Sequence, residues 1–93
     1  MSAVQSQSVT IVNKRGLHAR ASAKFVGAVA ALEREAKVTV AKDGNSAAGG
    51  SILGLMMLGA AKGDTVEVRV EGENAAQTLD ELVALIAAGF GED

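Results

Sequence analysis

The chain has no cysteine, no proline, no tryptophan and no tyrosine, and its only aromatic residues are Phe25 and Phe90. Without cysteine there is no disulfide frame, no thiolate chemistry and no zinc knuckle. A lone histidine, His18, argues against a histidine-based metal site, and no metal or cofactor is expected. Neither sign of charge dominates: nine Lys and Arg against eleven Asp and Glu leave a formal net charge of −2. Nucleic-acid binders carry a basic excess and stacking aromatics, so that class is excluded. The longest uncharged apolar runs, residues 52–61 and 82–90, fall short of the ~20 residues a membrane span needs. The first eight residues show no basic stretch followed by an apolar one, as a signal peptide would. The expectation is a soluble, cytoplasmic monomer without membrane or nucleic-acid partners.

What is present is the material of one core. Of 93 residues, 48% are hydrophobic and 18 are alanine, enough for a single domain and no second lobe. No linker composition or repeat divides the chain, so residues 1–93 are read as one domain, with polar tails at about 1–6 and 91–93 expected to fray.

Periods of 2 and 3.6 alternate along it. Residues 8–13 read as a strand with Val9 and Ile11 on one face, and Lys14-Arg15-Gly16 as a turn. From His18 to Leu32, Ala21, Phe25, Ala28, Val29 and Leu32 recur at helical spacing. Residues 37–40 form a second strand, closed by the hairpin signal Asp43-Gly44-Asn45 and followed by a short strand at 45–48. Ser51 ahead of an apolar run predicts a short helix with Ser51 as N-cap. Residues 65–71 alternate cleanly, turning Val66, Val68 and Val70 inward. Asn74 with Gln77 predicts a capping box, Leu79, Leu82, Val83 and Ile86 a buried stripe, and Gly89 a helix stop. The order β-α-β-β-α-β-α predicts an α+β open-faced sandwich: a four-stranded antiparallel sheet with three helices on one face and the other face solvated.

Two segments could carry chemistry. His18, the only side chain whose ordinary titration falls near neutrality, stands at a loop-to-helix junction with Arg20 two residues on and Lys24 nearby. The free amides and positive dipole of a helix N-terminus favour an anion, so an imidazole beside a guanidinium could carry a phosphoryl group there. The plainer reading is a solvated histidine capping a helix. The second segment, residues 49–59, lacks the Gly-Lys-Ser/Thr of a nucleotide loop. A helix of one or two turns cannot hide Ile52, Leu53, Leu55, Met56, Met57 and Leu58 on one side, so either some are exposed as a docking patch or the helix is clamped inside the core. The acidic pairs Glu33/Glu35, Glu71/Glu73 and Asp80/Glu81 read as solvated faces.

The residues Gly16-Leu17-His18-Ala19-Arg20, with Gly50-Ser51-Ile52-Leu53-Gly54-Leu55-Met56-Met57-Leu58-Gly59 further on, strongly resemble HPr, the histidine-containing phosphocarrier family of the bacterial phosphoenolpyruvate-dependent phosphotransferase system. The resemblance spans about residues 9–89. It implies a carrier, not an enzyme, in which His18 accepts a phosphoryl group on Nδ1 from enzyme I and passes it to enzyme IIA-type proteins, for sugar uptake or regulation. By the same resemblance, Arg20 and the backbone amides of Ala19 and Arg20 would hold the phosphate, Ser51 would match a serine that an HPr kinase/phosphorylase modifies in some members, and Leu53 and Met56, with Lys24 at the rim, would dock partners. Two positions depart from the family pattern: Ala21 stands where proline is usual, and Met57 where a small polar residue is frequent. The alanine-rich helix and Ala21 look more like the nitrogen-type branch. A domain of another class, binding a small regulatory ligand at His18 and Arg20, would share the sandwich but take no label from phosphoenolpyruvate and enzyme I.

Overall fold

The computed structural model describes residues 3–32 and 35–92. Four strands and three helices follow one another as β1 (Ala3–Thr10), α1 (Ala19–Ala30), β2 (Ala36–Lys42), β3 (Asn45–Ala48), α2 (Ile52–Met57), β4 (Thr65–Gly72) and α3 (Ala75–Ala87), with a 3-10 turn at Gly89–Gly91. The strands form one antiparallel sheet in the order β1-β4-β2-β3, the expected open-faced α+β arrangement.

Strand β4 organises the core. Its alternating Val66, Val68 and Val70 are buried to 1% exposure or less; their partners across the ladder are Val9, Gln7 and Gln5 on β1 and, for Val68 and Val70, Val40 and Val38 on β2. Directly opposed residues share a face, so the centre of one face of the sheet is valine, giving way to exposed glutamine along β1. Helix α3 covers it with Leu79, Leu82 and Ile86, and α1 with Ala21 and Phe25. Each of the large side chains among these contributes roughly 1.5–3 kcal/mol on burial. The opposite face pairs Lys37 with Glu71, Thr39 with Arg69 and Ala41 with Glu67. A shallow depression of ≈ 290 Å³ runs over these residues and Ser46, away from every candidate site residue.

Four expectations are corrected. The first strand begins at Ala3 and not at residue 8, because β4 offers antiparallel partners down to Gly72; residues 3–6 of the expected fraying tail are therefore strand. Helix α1 ends at Ala30, capped by Ala31, short of Leu32; Glu33 and Arg34 of the expected helix end lie outside the described residues. The Asn74/Gln77 capping box does not form: Asn74 has φ 54° and its side chain caps nothing. An N-cap side chain reaches the first-turn amides from extended backbone, whereas Asn74 spends its tolerance of left-handed φ on closing the turn after Gly72. Finally, Gly91 and Glu92 of the expected C-terminal tail are bonded back to the body, Gly91 N–H to the Ala88 carbonyl and Glu92 N–H to the Gly89 carbonyl. The Asp43-Gly44 turn forms as expected, with φ of 51° and 84°, the mirror-image hairpin geometry that Asp-Gly favours.

Candidate functional site

The turn before α1 is set by Gly16, at φ 60°. A Cβ there would be driven into the carbonyl oxygen of Ala60, the same oxygen that accepts the Leu17 N–H at 2.9 Å. This close approach pins the loop ahead of His18 onto the body of the protein. Ser22, fully buried, donates its hydroxyl to the Leu17 carbonyl at 3.3 Å, fixing the same loop from the helix side.

His18 is the N-cap of α1, in extended conformation (φ −78°, ψ −178°). Its Nδ1 accepts the Arg20 backbone N–H at 3.3 Å, and its Nε2 lies 2.8 Å from Glu92 Oε2. An amide can only donate, and a carboxylate can only accept, so the partners assign the neutral ring to the Nε2–H tautomer, with the Nδ1 lone pair aimed at the helix amides. The side chain is 22% exposed, open enough to be met from outside.

The second carboxylate oxygen of Glu92 accepts Asn13 Nδ2 at 3.1 Å, and that same amide group donates to the Gly16 carbonyl at 2.9 Å. Asn13 is buried, and its Oδ1 has no partner. Turning the amide over would set its oxygen against two acceptors, so the orphaned oxygen is the consequence of aiming the NH₂ at Glu92. The His18 hydrogen bond, then the Asn13 hydrogen bond and the charges of His18 and Lys24, hold the Glu92 carboxyl below its ordinary value of 4.5 against the opposing effect of burial.

The other expected residues fall into two groups. Ala19 and Arg20 open the helix beside His18 and are exposed; among the described residues the Arg20 guanidinium makes no hydrogen bond or ion pair. On α2, Ser51 is the N-cap as expected, its Oγ accepting the Gly54 N–H at 2.9 Å. Only Leu55 of that helix is buried; Ile52, Leu53, Met56 and Met57 are exposed, Leu53 by 68% and Met57 by 78%. The open question about the apolar run thus resolves toward an exposed patch, and α2 packs against α1, the helix that carries His18. Met57, the most exposed of the set, was not among the residues expected to dock. Lys24, expected at the docking rim, is exposed and also donates to the Phe90 carbonyl at 2.6 Å, tying down the segment after α3. Among the described residues no group of three or more His, Cys, Asp or Glu is gathered.

Glu92 and Asn13 are the site residues that sequence reasoning missed. The family pattern described as PTS HPr component phosphorylation site matches residues 5–88. The chain is similar to the phosphocarrier protein HPr of Neisseria meningitidis, 45% identical over 86 residues that span 92% of this chain and 94% of that one. It is also similar to the phosphocarrier protein NPr of Shewanella violacea, 41% identical over 86 residues and 92% of each chain. Among solved structures it resembles HPr-C-His from Thermoanaerobacter tengcongensis, with a TM-score of 0.87 at 35% identity over 96% of this chain and 98% of the other. The HPr of Bacillus anthracis superposes with a TM-score of 0.82 at 31% identity, covering 90% and 98%.

Proposed function

Because the chain belongs to the HPr family of phosphotransferase-system phosphocarriers, we propose that it shuttles a phosphoryl group on His18 Nδ1 from enzyme I to enzyme IIA-type proteins. One observation carries the assignment of the atom: Nδ1 is the ring nitrogen whose lone pair points at the first turn of α1, while Nε2 is occupied by Glu92. In the loading step the Nδ1 lone pair attacks phosphorus in line. The new N–P bond forms as the bond to the donor's histidine breaks, and the donor ring leaves with its electron pair. Bonding phosphorus consumes the lone pair that accepts the Arg20 N–H, so that amide is released to a phosphoryl oxygen, joined by the Ala19 amide and the Arg20 fork. These groups are in place before the transfer and face the charge as it spreads over the phosphoryl oxygens. Unloading is the same exchange in reverse. The chain needs no base, metal or cofactor of its own and acts as a stoichiometric carrier.

Docking is assigned to the exposed apolar side of α2, with Leu53, Met56 and Met57 at its centre and Arg20 at its rim. Ser51, at the edge of that patch, is the site where a kinase of the HPr kinase/phosphorylase type would act. A cytoplasmic, single-domain monomer serving sugar uptake or a nitrogen-type regulatory branch fits this reading. Incubation with phosphoenolpyruvate and a bacterial enzyme I is expected to give an acid-labile, base-stable phosphate on the wild type and none on His18→Ala. A label that survives in His18→Ala would reject the assignment.

A further inference from the structure

With no cysteine in the chain, its three methionines, Met1, Met56 and Met57, hold all of its sulfur. Met1 lies outside the described residues. The other two stand side by side at the end of α2, and both are exposed, Met57 by 78% and Met56 by 39%. Met57 is the most exposed of the large hydrophobic side chains described. A flexible thioether commonly fills gaps in a core, yet neither of these belongs to the core or packs against it. They share the outward side of α2 with Ile52 and Leu53, while Leu55 is the residue buried beneath. An exposed thioether is open to two-electron oxidants, and the chain has no thiol to compete for them.

We propose that Met57, followed by Met56, is an oxidation site through which hydroperoxides switch off docking. The proposal rests on the outward side of α2 being the docking face. In the oxidation a sulfur lone pair attacks one oxygen of the peroxide. The S–O bond forms as the O–O bond breaks, so the thioether is oxidised to a sulfoxide and the peroxide is reduced. With hydrogen peroxide, both protons leave on the departing oxygen as water. A dithiol reductase reverses the step: the sulfoxide oxygen departs as water and the dithiol becomes a disulfide. What changes at the surface is a soft, apolar group, which becomes polar and chiral. In the free chain, water meets the new S–O group at no cost. A partner covering the patch must strip that water, and this is unfavourable unless the partner brings a hydrogen-bond donor to the spot. The surroundings offer no such donor from this chain, since Ile52 and Leu53 are the apolar neighbours. The fold itself takes the oxygen without loss: the cap of α2 is at its other end, where Ser51 Oγ accepts the Gly54 N–H. His18 stands on α1 and its ring is untouched. Oxidation therefore separates the carrier from its partner and leaves its stability as it was.

The test treats wild type and the double variant Met56→Leu/Met57→Leu with hydrogen peroxide, which is then removed. Peptide mass spectrometry maps the added oxygen, and calorimetry gives the Kd for untreated enzyme I, each chain being compared with its own untreated form. Met57 is expected to oxidise before Met56. The Kd of the oxidised wild type is expected to rise about 5- to 100-fold, the range for burying one unpaired polar group. Its melting temperature is expected to stay near that of the untreated chain, and a methionine sulfoxide reductase to restore the Kd. The double variant, with no sulfur in the patch, is expected to keep its own Kd after treatment. Met57 left intact by peroxide that converts free methionine would overturn the inference. So would full oxidation with the Kd unchanged, or an equal loss of affinity in the treated double variant. Leu53→Glu separates the inference from the reading beneath it. An unchanged Kd for oxidised wild type beside a weakened Leu53→Glu rejects the oxidation switch alone, whereas an unchanged Kd for both rejects α2 as the docking face.

Discussion

At the scale of the residue, the account turns on His18 and Arg20. His18→Ala removes an N-cap worth about 1 kcal/mol, together with the anchor of Glu92, so the fold is expected to survive while labelling is lost; circular dichroism and ³²P transfer measure the two separately. Arg20 has an exposed guanidinium with no partner among the described residues, as a group reserved for an incoming anion would. If it grips the phosphoryl group with two prongs, a lysine replaces it poorly, since an ammonium lacks the planar fork. Transfer rates are expected to fall from wild type to Arg20→Lys and further to Arg20→Ala. Equal rates in wild type and Ala would leave the work to the helix amides. His18 and Arg20 were legible in the sequence because everything that marks them lies within a few residues. Glu92 was not, because it lies 74 positions from His18 along the chain and reads locally as a polar tail. The one available signal was Phe90 between two glycines: one of only two aromatics in the chain, set where an anchor for that tail would sit.

At the scale of the element, α2 is where the proposed docking can be tested. Its six residues cannot bury more than one side, and the sequence left open which side that would be. Leu55 alone of the helix is buried, and Leu58 at its C-cap packs partly against the core. A charge at the centre of the outward side must be desolvated by any partner that covers it. Leu53→Glu and Met57→Glu are expected to weaken enzyme I binding by about 2 kcal/mol or more, as at a hot spot, with melting temperatures near wild type because both side chains are already exposed. Wild-type affinity in both variants, by calorimetry, would place docking elsewhere. Phosphate on Ser51 would add roughly −1.5 to −2 charge at the cap of the same helix, where the fold tolerates an anion and a docking partner would not. Ser51→Asp is expected to raise KM for enzyme I with little change in kcat, and Ser51→Ala to behave nearly as wild type. Strand β4 was legible because it alternates in the sequence as it does in the sheet, whereas the Asn74 cap was misread because the left-handed turn after Gly72 leaves no mark on the Asn-x-x-Gln spacing.

At the scale of the whole molecule, segments far apart in sequence meet at the site. The loop after β1 brings Asn13 and His18, and α3 leads through the strap of residues 89–91 to Glu92, which bonds to both. Because Glu92 titrates below its ordinary value of 4.5 in the folded chain, its contribution to stability is present above the ordinary carboxylate range and fades as pH falls through the lowered value. Acid titration followed by amide NMR is expected to release Gly91 and Glu92 before the sheet unfolds, and loss of both together with the sheet would contradict the strap as a separate unit. In the core, Leu82→Ala removes a side chain 1% exposed beneath α3 and is expected to cost about 2–5 kcal/mol, read as a lowered denaturation midpoint with His18 labelling retained in the folded fraction. The measurement that bears most directly on the whole account is mass spectrometry of the chain after incubation with phosphoenolpyruvate and enzyme I, with the modified atom identified by ³¹P and ¹⁵N NMR. The account predicts one phosphoryl group on Nδ1 of His18; phosphate on Nε2, or on any other residue with His18 unmodified, would contradict it.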